Sequence, residues 1–221
     1  METIIERLAR ELGRDRRYVE NVAALLDEGS TIPFIARYRK ELHGSMDDTT
    51  LRTLAERLQY LRNLEKRRDE IKNAIESQGK LTAELSAAID AAASLAEAED
   101  LYRPYKQKRR TRAAAAREKG LEPLAALLYA QRPDCPDPLK AAAGYIDQSK
   151  GVETAEDALQ GANDIIAENI SDDAAIRKAL RSYVLKNSVI ESAAAREEDS
   201  VYRLYYDFHQ SVSRKSEAKR S

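Results

Sequence analysis

Residues 47–79 read DDTTLRTLAERLQYLRNLEKRRDEIKNAIESQG, and the fold class turns on them. Leu51, Leu54, Leu58, Leu61, Leu64, Ile71 and Ile75 recur at three- and four-residue steps, with one step skipped after Leu64. That period returns side chains to one face of an α-helix. Asp47 or Asp48 can cap the start, and Gly79 supplies the stop. At 1.5 Å per residue a helix over 47–78 would extend roughly 48 Å. Arg67, Arg68 and Asp69 interrupt the apolar stripe, so no heptad seam is sustained. The pattern predicts a strut inside one molecule rather than a coiled-coil dimer.

Towards the amino terminus, Ile4, Ile5, Leu8 and Leu12 mark one face of a first helix ending near Gly13. A second runs from about Asp15 through Val19, Val22, Leu25 and Leu26 to a stop at Gly29. Pro33 suits the first turn of a third helix, 33–42, where its missing N–H is not needed. Three short helices at this spacing predict a helix-turn-helix-like bundle. Arg37, Arg39 and Lys40 make the third helix basic, as a recognition helix would be. The preferred reading is structural, with those cations paired to neighbouring carboxylates.

Towards the carboxy terminus, Thr82 starts the next helix, and Ser94-Leu95-Ala96-Glu97 has capping-box spacing for a short one leading towards Tyr102, ended by Pro104. Leu121, Leu124, Leu127 and Leu128 give another. Residues 132–138 hold three prolines, a loop and the expected break between subdomains. Thr154 and Asp157 form a second capping box before Leu159, Ile165, Ile166 and Ile170; Ser171 and Asp172 open a helix carrying Ile176, Leu180, Val184 and Leu185. A last helix is expected around Val201, Leu204, Tyr205 and Phe208, and a disordered tail over 211–221. The chain thus reads as all-α: a helix-turn-helix-like bundle (1–45), a long-helix scaffold (46–131), a second helical subdomain (139–210) and the tail.

Composition agrees. Charged residues make up 34% of the 221, against 8 Gly and 6 Pro, too few for a strand-and-turn protein. The longest apolar runs are alanine stretches such as 113–116, far below the ~20 residues of a membrane span. No signal-peptide core follows Met1, and Cys135 stands alone, so a cytoplasmic protein that touches no membrane is expected. His43 and His209 are far apart, neither at metal-ligand spacing with Cys135, and no Gly-rich phosphate loop exists. The expectation is no enzyme, no cofactor and no metal.

One charge feature stands out within a net charge of −1. Between 103 and 119 lie Arg103, Lys106, Lys108, Arg109, Arg110, Arg112, Arg117 and Lys119, against the single acid Glu118. Residues 147–199 are acidic in excess. Lys106, Lys108, Arg109, Arg110 and Arg112 are therefore candidate phosphate contacts, with Tyr102 and Tyr105 beside them to stack on bases or ribose. The competing reading docks the basic segment on the acidic helices of its own chain.

The stretches IPFIARYRKE (32–41), GKLT (79–82), EDLYRPYKQKRRTRA (99–113) and AREKGLEPLA (116–125) resemble the amino-terminal region of the bacterial Tex family of transcription accessory proteins. Arg103, Gln107 and His43 depart from the family pattern, which has an apolar residue, proline and threonine there. The resemblance implies a helical module running into a central scaffold, normally followed by RNase H-like, helix-hairpin-helix and S1 RNA-binding domains. None of these is present, so a truncated member lacking its principal RNA binder is expected. The function expected is a monomeric, non-enzymatic scaffold binding RNA or single-stranded DNA rather than a specific duplex site. The alternative is a docking module for RNA polymerase or for the missing carboxy-terminal domains.

Overall fold

The computed structural model describes residues 3–106, 110–196 and 198–213. It is predominantly α-helical, as expected, and divides into two compact units, 1–99 and 100–221.

The first unit contains α1 (Ile4–Leu12), α2 (Arg16–Asp27), α3 (Ile32–Tyr38), α4 (Asp48–Glu76) and α5 (Ala83–Ala91), and runs into α6 (Leu95–Tyr102). Side-chain caps define the starts. Thr3 and Glu6 form a capping box on α1, Asp15 caps α2, Thr31 caps α3, and Asp47 accepts the Thr50 N–H at 2.6 Å to open α4. All seven apolar residues of the α4 stripe are buried within the chain, as a strut requires. Leu8, Val19, Val22, Leu25 and Ile35 pack with Leu51, Leu54, Leu58 and Leu61 in one cluster, so α1, α2 and α3 cover the first half of α4. Each such fully buried side chain contributes about 1.5–3 kcal/mol. The interruption of the stripe also has a use. Arg67 Nε donates to Glu99 at 2.6 Å, Arg68 donates to the Ala92 carbonyl, and Lys72 Nζ reaches Asp90 at 2.8 Å. Charge replaces apolar packing where the α5–α6 connection lies on α4.

Helix α3 stops at Tyr38, short of the expected 42. Arg39 leaves the helical region at φ −128°, and residues 39–45 turn back towards α4. The turn needs Gly44: its φ is +59°, and a Cβ there would stand 2.5 Å from the Tyr18 ring.

The second unit continues with α7 (Arg112–Glu118), α8 (Glu122–Tyr129), α9 (Pro138–Ala143), α10 (Ala155–Asp172) and α11 (Ala174–Asn187). Ala158, Ala162 and Ile165 of α10 pack against Ala113, Ala116, Leu121, Leu124, Ala142 and Val152. The proline-rich loop 132–138 therefore lies within this unit, whose core draws on both sides of it. Thr154 and Asp157 make the capping box read from the sequence.

The expected last helix is a correction. Residues 189–211 form an antiparallel hairpin, β1 (Val189–Ala193) with β2 (Asp207–Ser211), in register Val189↔Ser211 to Ala193↔Asp207. Among the described residues between them, the 3-10 turn Arg203–Tyr205 is the only helical piece. The spacing of Val201, Leu204, Tyr205 and Phe208 imitates a helix, but only Phe208 enters the ladder, while Val201, Leu204 and Tyr205 fall in the turn between the strands. Ser211, the first residue of the expected tail, is paired in β2; residues 214–221 lie outside the described residues.

Candidate nucleic-acid interface

The basic segment begins where α6 runs out. Pro104 cannot extend the helix, and Arg103–Tyr105 tightens into a 3-10 turn before Lys106 goes extended at ψ 135°. Thr111 then accepts the Ala114 N–H at 3.0 Å and starts α7, whose Ala113 and Ala116 are buried. That anchoring turns Arg112 outward and leaves Arg110 just ahead of the helix. Lys108 and Arg109 lie outside the described residues.

The cations differ in what they touch. Arg103 Nε donates to Asp172 at 2.8 Å, the Asp172 side chain being 12% exposed. Arg117 is held by Glu168 at 2.6 Å and by Asn169 at 2.9 Å, and Lys119 Nζ donates to the Gly151 carbonyl at 2.7 Å. These three dock on α10 and the turn before it, as the competing reading supposes. Arg110 and Arg112 are held more loosely. Arg110 meets Glu118 at 3.0 Å while 77% exposed, and Arg112 approaches Asp164 only to 3.7 Å while 86% exposed. Exposed pairs of that kind contribute about 0–1 kcal/mol and yield readily to a competing anion. Lys106 is exposed, with Nζ 5.4 Å from the centroid of the half-buried Tyr102; Tyr105 is also half-buried.

A cleft of about 690 Å³ opens between this segment and α10. Lys106, Arg110 and Arg117 line it, but so do Glu118, Glu168, Asp172 and Asp173. Among the described residues four carboxylates face three cations there, which makes that floor a poor receptor for phosphate. The outward heads of Arg110 and Arg112 are the electropositive surface.

Composition and spacing single out neither Asp100 nor its partners. Asp100, 5% exposed, accepts from Arg177 Nε at 2.6 Å and from Arg181 Nη2. Burial opposes its charge, yet the two guanidinium hydrogen bonds outweigh burial and hold its carboxyl below the ordinary value. The four-residue step from Arg177 to Arg181 puts both guanidinium groups on one side of α11, but it does not point to Asp100, which lies more than seventy residues earlier in the chain. Helix α11 carries these arginines on one side and has no buried residue; Ile176, Leu180, Tyr183, Val184 and Leu185 are exposed. Among the described residues no His, Cys, Asp and Glu cluster has metal-binding arrangement, and no helix is long and apolar enough to cross a membrane.

Two family models match the chain: the Tex-like protein N-terminal domain over residues 2–76 and the Tex central region-like model over residues 134–217. The basic segment falls between them. Protein YhgF of Escherichia coli is 47% identical over 209 residues, covering 93% of this chain and 27% of its own length. The transcriptional accessory protein Tex of Neisseria gonorrhoeae is 43% identical over 201 residues, covering 91% and 26%. The human S1 RNA-binding domain-containing protein 1 is 32% identical over 178 residues, covering 80% and 18%. The chain spans less than a third of the length of these relatives.

Proposed function

This chain belongs to the Tex family, and on that premise we propose that it is a non-enzymatic, nucleic-acid-binding scaffold acting in transcription. The observation that carries the reading is the exposure of Arg110 and Arg112, at 77% and 86%, at the end of a segment rich in cations. The printed names of relatives, transcriptional accessory protein and S1 RNA-binding domain-containing protein, support the ligand class. In this mechanism Lys106, Arg110 and Arg112, with Lys108 and Arg109 of the same stretch, neutralise phosphates. Tyr102 and Tyr105 stack on bases. Phosphate contacts position a strand without reading it, so binding depends little on sequence and favours RNA or single-stranded DNA. Filter binding of a labelled RNA 20-mer, about the length of several such sites, tests it. Arg110→Glu with Arg112→Glu should abolish most of the affinity; an unchanged dissociation constant removes the segment from the site.

The apolar side of α11 favours a second reading, a docking module for RNA polymerase or for the downstream part of a longer Tex-like protein. Co-purification of polymerase that survives nuclease treatment supports that reading, and loss of the association supports a nucleic-acid bridge.

A further inference from the structure

Helix α3 carries a second cluster of cations and rings, and its charges are engaged differently from those of the 103–119 segment. Ile35 is fully buried, with Ile32 and Ala36 packed against the same core. That inward side leaves Phe34, Arg37 and Tyr38 facing out, Phe34 39% and Tyr38 59% exposed. The two rings sit one helical turn apart, centroids 5.3 Å and planes at 46°. The Arg39 guanidinium lies 5.5 Å from the Phe34 centroid and that of Arg37 5.9 Å from the Tyr38 centroid. The carboxylate pairing expected of this helix is not found: among the described residues Arg37, Arg39 and Lys40 form no ion pair. Glu41 is the only acid in 32–42. Two exposed rings with two guanidinium groups over them lie outside the core cluster that holds Ile35.

We propose that this face of α3 binds single-stranded nucleic acid, with bases stacked on Phe34 and Tyr38 and phosphates held by Arg37, Arg39 and Lys40. The inference shares its ligand class with the reading above but not its residues. The ring geometry restricts the mode. A base between the rings would need two stacking steps of ~3.4 Å, more than the 5.3 Å present. Each ring therefore offers one outer face to one base. Paired bases in a duplex are already stacked and cannot reach those faces, so the site discriminates by strandedness. The Arg39 and Arg37 guanidinium groups lie over the Phe34 and Tyr38 rings, so a stacking base competes with them for the ring faces while they turn outward to meet its phosphates.

The test is fluorescence anisotropy of a labelled oligo(U) 12-mer with the full chain, each variant's fold checked by circular dichroism. Tyr38→Ala and Phe34→Ala should each weaken binding about tenfold or more, while Tyr38→Phe, which keeps the ring, should bind as the parent does. A duplex of equal length should bind more weakly and be insensitive to Tyr38→Ala. Unchanged oligo(U) affinity in both alanine variants overturns the proposal. So does displacement of oligo(U) by poly-aspartate as effective as by unlabelled oligo(U), which would instead mark the face as a dock for acidic protein. Loss of binding only in Arg110→Glu with Arg112→Glu overturns α3 and keeps the segment. Loss only in the α3 variants does the reverse, and a parent chain that binds no oligo(U) sinks both.

Discussion

Glu11 on α1 sits where that helix is hydrogen-bonded to α4. Arg57 on α4 donates to it twice, at 2.6 and 2.9 Å, and Arg7 once, at 2.9 Å. The Arg57 hydrogen bonds, above all, outweigh burial and lower the Glu11 carboxyl to about 2. Its folded value lies below its unfolded one, so the stabilisation is fully present above about pH 4.5 and disappears as pH falls towards 2. Both side chains remain about a third exposed, and solvent screening reduces the effect to about 1–2 kcal/mol. Urea titrations at about pH 5 and about pH 2.5 should show this acid loss in the parent and a smaller loss in Glu11→Gln. Equal losses would mean that the bridge contributes nothing. His43 poses the opposite problem. It is 1% exposed, and neither ring nitrogen has a hydrogen-bond partner among the described residues. Leaving buried polar atoms unpaired costs about 1–3 kcal/mol. His43→Leu, which fills similar space without polar atoms, should raise the thermal midpoint by a few degrees; a lower midpoint would reveal a partner for the ring. From the sequence His43 reads only as an isolated surface or packing histidine. Its complete burial depends on the turn at Gly44 against Tyr18, a contact between residues far apart in the chain.

The elements show which patterns survive folding. Seven apolar residues at helical spacing made α4 legible, because every one of them is buried on one side. Four residues at the same spacing near 201–208 misled, because so short a run fits a turn plus a strand equally well. The basic third helix misled differently. Its cations were expected to find carboxylates, but among the described residues they form no ion pair, a fact of tertiary placement that spacing cannot carry. The second unit depends on close approach. Gly161 lies in the middle of α10, where a Cβ would stand 2.4 Å from Leu121 Cδ1 and 3.3 Å from Ala116 Cβ. Leu121 is 1% exposed and packs in the core of this unit, so it must shift to make room. Alanine is the better helix former by about 1 kcal/mol, but overpacking costs about 1–3 kcal/mol. Gly161→Ala should therefore lower stability in denaturant titration despite its propensity gain, and Gly161→Val should lower it further. A more stable Gly161→Ala would show that α7 and α8 can move away from α10 at little cost.

Across the whole molecule the charges nearly cancel, at −1, so no long-range field draws a polyanion in and any attraction must be local. The 103–119 segment was legible as a charge excess, but its division into docked and outward cations was not, because the acids that hold Arg103 and Arg117 lie on α10, roughly fifty or more residues away. That division makes a prediction that total charge does not. If four phosphates are neutralised on single-stranded RNA, log K should fall with log salt at a slope near −3. Arg110→Ala with Arg112→Ala removes two exposed contacts and should bring the slope to about −1.5, with little change in thermal midpoint. Arg103→Ala with Arg117→Ala removes the same formal charge from the same stretch. It should leave the slope near −3 and lower the midpoint, because Asp172 and Glu168 each lose a guanidinium partner at 12% and 16% exposure. Matching slopes in the two double variants would mean that the segment acts through its total charge, and that the placement of Arg110 and Arg112 in solvent is irrelevant to binding.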